Sequence, residues 1–220
     1  MIPLKDNIPT RTFPIITVSV LFVNMLIFVL QSLLLAPRDI EAFFKYYGLI
    51  PYEFSLAVSQ RWELLPYNIL TLFTSMFIHG GVFHVVGNML YLWIFGNNVE
   101  DSMGHVRFIV FYFLAGIVAA AFQYFYDPAS TIPMVGASGA VSGILGAYLV
   151  LYPYARVKTL LFIFIFIKIV ELPALILLTI WFLMQVLYSH MGGVAWHAHI
   201  GGFLFGLLSI RFFRKKRGRL

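Results

Sequence analysis

Residues 133–146 read Pro-Met-Val-Gly-Ala-Ser-Gly-Ala-Val-Ser-Gly-Ile-Leu-Gly, a loop rich in turn residues that runs straight into an apolar, glycine-dotted helix. Ser138 sits at the join. Two other polar clusters lie in equally apolar surroundings: His79-Gly-Gly-Val-Phe-His84-Val-Val-Gly-Asn88 and Trp196-His197-Ala-His199-Ile-Gly-Gly202. Polar side chains are expensive inside a membrane and are read there as functional by default. A serine, histidines and an asparagine so placed point to hydrolysis within a bilayer.

Composition supports the membrane. Of 220 residues 61% are hydrophobic and 11% charged, with a mean hydropathy of +0.90, whereas a soluble domain carries roughly 25% charged residues. The size suits one helical bundle without a second large domain. No cysteine is present, which excludes disulfides, thiol nucleophiles and thiolate metal sites. The formal charge of +6 raises the question of nucleic acid, but six of the fifteen basic residues lie in 211–219, at the end of the last apolar run. Cytoplasmic retention of a helix end calls for that placement, so nucleic acid is not an expected partner.

Six spans are expected. The first follows Pro14 and runs Ile15–Leu35, about twenty residues and long enough to cross; its length also exceeds that of a cleaved secretory signal. The second covers about Asn68–Val99, with the part before Gly80-Gly81 separable. The third is about Val106–Tyr126, and the fourth runs from Ser138 to near Tyr152. Lys168, Glu171 and Pro173 divide the apolar stretch that follows. Keeping the basic groups on one side favours a single span at 172–189, with 157–170 an interfacial or buried extended segment. The last is about His197–Phe213. Residues 36–67, which mix charge with Phe43, Tyr46, Tyr47 and Trp62, are expected as short amphipathic pieces at the interface. Loops 126–137 and 189–196 lack Lys and Arg and are expected outside, with both ends cytoplasmic. The division is then a lead of 1–13, a six-span unit of 14–213 and a basic tail of 214–220. Ser138, His84 and His199 come to similar depth.

On this plan chemistry can be assigned. His84 and Asn88 are four apart and share a helix face. Gly139 with Gly143, and Gly202 with Gly206, form small-xxx-small patterns that let backbones approach in lipid; Gly146 extends the first. Packing these two spans together would bring the Ser138 hydroxyl to the His199 imidazole. Serine is a weak nucleophile until a base takes its proton, and His199 suits that task and the later protonation of a leaving amine. The Ser138 N–H at a helix N-terminus, His84 and Asn88 are donors for an oxyanion. Without an acidic residue near Ser138 or His199, a dyad is favoured over a triad.

Each residue alone has a plainer reading. Ser138 reads as a packing residue bonding back to its helix, Asn88 as interhelical polar glue, and His105, His190 and His197 as ordinary polar groups. It is their number and common depth that favour function. Rival chemistries lack their parts: there is no His-Glu-x-x-His for zinc, Asp127 is the sole acidic residue between Asp101 and Glu171, and no Gly-x-Ser-x-Gly elbow lies between strand and helix. No metal or cofactor is expected.

Gly136-Ala-Ser138-Gly139, the His79…His84-x-x-x-Asn88 helix and Ala198-His199-Ile-Gly-Gly202-x-x-x-Gly206 together resemble the rhomboid intramembrane serine proteases, over almost the whole chain. The resemblance implies an all-α, six-transmembrane-helix rhomboid-like bundle with a membrane-embedded first loop at 36–67. It implies Ser138 as nucleophile and His199 as general base, His84 and Asn88 as oxyanion stabilisers, and His79, Gly136 and Gly139 as support for the site. Glu100 resembles an acidic residue that relatives carry after the second span, the loop before the last span a cap, and the fifth span a lateral gate. Two departures stand out. Relatives can carry a tyrosine one turn after the nucleophile, stacked on the histidine, where this chain has Ser142, so another group must orient His199. The Trp-Arg pair of the first loop occurs only reversed, as Arg61-Trp62. The implied partners are transmembrane protein substrates, membrane lipid and water; the short termini and lack of a targeting presequence lead to the expectation of a bacterial plasma membrane. A catalytically idle binder of transmembrane helices is the main alternative; a small transporter with a histidine proton relay is a third, lacking a visible inverted repeat.

Overall fold

The computed structural model describes residues 1–163 and 166–215. They form, in order, β1 (Ile2–Asp6), α1 (Ile15–Leu34), α2 (Ile40–Tyr47), α3 (Pro51–Ser59), α4 (Leu65–Thr74), α5 (Val82–Tyr91), α6 (Asn97–Met103), α7 (His105–Tyr126), α8 (Ser138–Leu151), β2 (Arg156–Ile163), β3 (Phe166–Pro173), α9 (Ala174–Leu187) and α10 (Trp196–Phe213). Most of the expected basic tail, 216–220, lies outside the described residues.

Among the described residues two helices, α1 and α7, are long and apolar enough to cross a membrane. A third crossing arises if the bent pair Trp62–Phe77 and Val82–Met103 counts as one span. The pair meets at 82°, so the second helix begins at Val82 and the residues from Asn68 belong to a separate piece. Gly80-Gly81 breaks the pattern there. A π-helical turn at Leu92–Gly96 carries α5 into α6 without a loop. The 36–67 connector folds into α2, α3 and a 3-10 turn at Trp62–Leu64, with Pro51 opening α3 where a missing N–H costs nothing.

The core is built where α7, α8 and α10 meet, with Phe108, Phe111, Tyr112, Ile144, Leu145, Tyr148 and Phe203 fully or almost fully buried. Glycines set the helix spacing. A Cβ on Gly202 would stand 2.1 Å from the Gly139 carbonyl oxygen, and one on Gly206 1.8 Å from that of Gly143. On its other side α8 meets α7, where a Cβ on Gly143 would be 2.5 Å from Ala115 Cβ.

The all-helical expectation needs one correction. Residues 156–163 and 166–173 pair as antiparallel strands, to which β1 adds as an antiparallel third, in the order β1-β2-β3. Buried Val157 and Thr159 alternate with exposed Arg156 and Lys158, the period of two that a half-buried strand requires. The extended segment expected at 157–170 is strand over its described residues, 157–163 and 166–170. β1 had no readable signal, since its partners lie more than 150 positions on, Ile2 pairing with Leu160. Asp6, closing β1, accepts hydrogen bonds from Tyr148 Oη at 2.5 Å and Asn98 Nδ2 at 2.6 Å, which ties the strand to the end of α8 remote from Ser138.

Candidate active site

The loop before α8 is pinned before the helix starts. Leu49 and Met134 exchange backbone hydrogen bonds, Gly136 N–H donates to the Ser75 carbonyl at 2.8 Å, and Ala137 N–H donates to His79 Nε2 at 3.4 Å. Gly136 takes φ +115°, open to glycine. Its missing side chain is also needed: a Cβ there would stand 2.7 Å from His84 Nε2. Ser138 is the first residue of α8, so its N–H is among the first-turn donors that have no carbonyl within the helix.

α5 brings His84 and Asn88 to the same place. Gly80 N–H donates to His84 Nδ1 at 3.4 Å, which makes Nδ1 the acceptor and leaves Nε2 carrying the proton of the neutral ring, on the Gly136 side. Asn88 Nδ2 donates one hydrogen to the His84 carbonyl at 3.0 Å and keeps a second. His79 is fully buried and packs edge-on against His84, with ring centroids 5.1 Å apart. Its carbonyl accepts from Gln31 Nε2 at 2.6 Å, joining the turn to α1.

His199 lies in the first turn of α10. The rings of Trp181 and Trp196 lie 6.2 and 6.1 Å from it, and its Nδ1 is 2.9 Å from Gln185 Oε1 on α9. Gln185 was not singled out in the sequence. It is the one amide in the apolar α9 run, a visible signal, but nothing in the spacing pairs a residue with another fourteen positions on. His197 stacks on Tyr126 at a centroid separation of 3.4 Å, and His105 pairs with Glu100 at the far end of the bundle.

Ser138, His84, Asn88, Gln185 and His199 all line one open cavity of about 1070 Å³, walled also by the 127–135 and 189–196 loops. His79, Gly136 and Gly139 stand behind it, and Gly143, Gly146, Gly202 and Gly206 act on helix packing. Among the described residues no hydrogen bond joins Ser138 Oγ to His199; catalytic hydrogen bonds are often long until substrate is in place. Nor do three His, Asp or Glu side chains converge as metal ligands among them. The arrangement has a hydroxyl, an imidazole with an unprotonated nitrogen and several aimed N–H donors, the parts for acyl transfer.

A family model described as Rhomboid domain matches residues 66–216. Rhomboid protein 1, mitochondrial, of Saccharomyces cerevisiae is 30% identical over 165 residues, 68% of this chain and 44% of the relative. Rhomboid protease GluP of Bacillus subtilis is 36% identical over 94 residues, 43% of this chain and 16% of the relative. Presenilin-associated rhomboid-like protein, mitochondrial, of Mus musculus is 29% identical over 143 residues, 63% and 36% respectively. The chain spans less than half the length of these relatives.

Proposed function

The chain belongs to the rhomboid family, and we propose that it is an intramembrane serine endopeptidase cutting single-span membrane proteins with a Ser138–His199 dyad. The observation that carries this is the meeting of Ser138, His84, Asn88 and His199 in one open cavity.

In the first half-reaction Ser138 Oγ attacks the scissile carbonyl carbon while His199 Nε2 takes the hydroxyl proton. The oxyanion is met by Ser138 N–H, His84 Nε2–H and the spare Asn88 hydrogen. Collapse breaks the C–N bond, and His199 returns the proton to the leaving amine. Water then attacks the acyl-serine with His199 again as base, releasing the acid and restoring Ser138. A general base contributes about 10²–10⁴-fold, and one oxyanion donor about 10²–10³-fold. A substrate helix must unwind locally to expose its carbonyl, since its backbone is otherwise fully paired in lipid.

Six spans with both ends cytoplasmic is our reading of the topology. The β1–β2 pairing and the Lys215 N–H bond to the Ser102 carbonyl at 3.0 Å join distant parts of the chain at one end of the bundle. Such closures require even numbers of crossings between the joined points. Four crossings by α1, α5–α6, α7 and α8 satisfy the first closure, and four by α7, α8, α9 and α10 satisfy the second. Lys5, Arg107, Arg156, Lys158 and Arg214 lie at that end, as positive-inside charge does, while the cavity opens among loops without Lys or Arg. A bacterial plasma membrane suits this reading.

The test is cleavage of a fluorescent single-span substrate by the purified chain in lipid vesicles. Ser138→Ala and His199→Ala are each expected to lose at least about 10³-fold in kcat with unchanged unfolding midpoints. Undiminished cleavage by Ser138→Ala would refute the nucleophile. A wild type that binds the substrate helix without cutting it would favour the idle binder.

A further inference from the structure

One turn after the nucleophile, Ser142 Oγ donates to the Ser138 carbonyl at 2.7 Å, so α8 supplies no ring to hold His199. Its holder comes from α9. Gln185 is only 6% exposed, and its two amide atoms have different partners. Nε2 donates to the Trp181 carbonyl at 2.9 Å, and Oε1 faces His199 Nδ1 at 2.9 Å. With the amide nitrogen committed to a carbonyl, the atom facing His199 can only accept. The imidazole must therefore donate from Nδ1, and a neutral ring protonated there carries its lone pair on Nε2.

We propose that Gln185 is the positioning residue of the base: it fixes the His199 tautomer, holds the ring against rotation and leaves Nε2 free for the Ser138 proton. This rests on reading Ser138 and His199 as the dyad. It also explains how a dyad can lack an acidic third member here. An ionised carboxylate buried beside two tryptophans is costly, whereas an amide offers the same acceptor without a charge. Imidazolium formed during reaction still points its Nδ1–H at a fixed oxygen. The titratable groups that share the cavity with His199 are His84, His190, His197, Asp127, Tyr91 and Tyr126, and of the cavity groups only Gln185 bonds the His199 ring.

The full chain in lipid vesicles is compared with Gln185→Met and Gln185→Glu. Met fills similar volume but removes the acceptor; Glu keeps it and adds charge. The same pair is made in Ser138→Ala protein labelled with ¹⁵N-histidine, where nitrogen shifts report the His199 tautomer without any turnover. Met is expected to lower kcat on the order of 10- to 100-fold, part of what a general base supplies, with KM unchanged and the Nδ1–H form no longer dominant. Glu is expected to keep most of kcat and to move the acidic limb of the pH profile upward, because a carboxylate favours imidazolium. A Met variant with wild-type kcat and tautomer would overturn the proposal. A wild type that cuts nothing, while the Met substitution still shifts the tautomer, would sink the protease reading and leave the lock standing.

Discussion

Gly136 shows how little room the site leaves. A methyl group there meets φ +115° and the His84 ring at once, so Gly136→Ala must either strain the backbone, at about 1–3 kcal/mol, or move the imidazole. With His84 as the oxyanion donor proposed above, displacing it is expected to cost about 10²–10³-fold in kcat. Gly81 is the control: a Cβ there meets nothing within 4 Å, so Gly81→Ala should keep near-normal turnover in the same vesicle assay. Residues of this kind were partly legible in sequence. Ser138, His84, Asn88 and His199 stood out as polar groups in apolar runs at matching depth. The requirement at Gly136 comes from a side chain some fifty positions away, and only tertiary packing reveals it.

Elements extend the same logic. Gly202 and Gly206 let α10 lie with its backbone on that of α8, and the two-by-two glycine spacing made this legible. Gly202→Val should push the helices apart, lowering unfolding free energy by about 1–3 kcal/mol as overpacking does, with loss of cleavage; stability in a denaturant titration would show it. At the other end, Glu100 is fully buried and accepts from Ile16 N–H, Thr17 N–H and Thr17 Oγ1, at 2.9, 2.8 and 2.6 Å. It caps α1 from a neighbouring helix, where Pro14 provides no side-chain cap. Glu100→Ala strands those donors, and a loss of about 1–3 kcal/mol for each left unpaired is the expected scale. KM for substrate should stay put, since the cap is remote from the cavity. Helix lengths were less legible: α8 and α9 have 14 residues each, about 21 Å at 1.5 Å per residue, against about 30 Å of hydrocarbon.

For the whole molecule, the sheet is what the sequence hid. Keeping the basic groups on one side marked 157–170 as extended, but a five-residue strand with a partner so far along the chain leaves no local trace. Asp6 makes its docking sensitive to pH. Burial raises its carboxyl above the ordinary 3.8, outweighing the Tyr148 hydroxyl that pulls it down. The folded state then holds the Asp6 proton more tightly than the unfolded chain, so this contribution is complete below 3.8 and is lost as pH rises through the raised value. Asp6→Asn should therefore gain stability relative to wild type as pH climbs through that window; a difference in unfolding midpoint that stays flat with pH would contradict it.

The same strand sets a clock on biogenesis. Residues 2–6 leave the ribosome long before the edge they pair with, which is not made until residue 157. At about 5–20 residues per second that is a wait of roughly 8–30 s. Through that interval α1, α5, α6, α7 and α8 are all made while residues 2–6 stay without their partner strand. Completion of β2 then fastens early-made to late-made chain, so a ribosome stalled before residue 157 should yield a nascent protein in which residues 2–6 remain open to proteases.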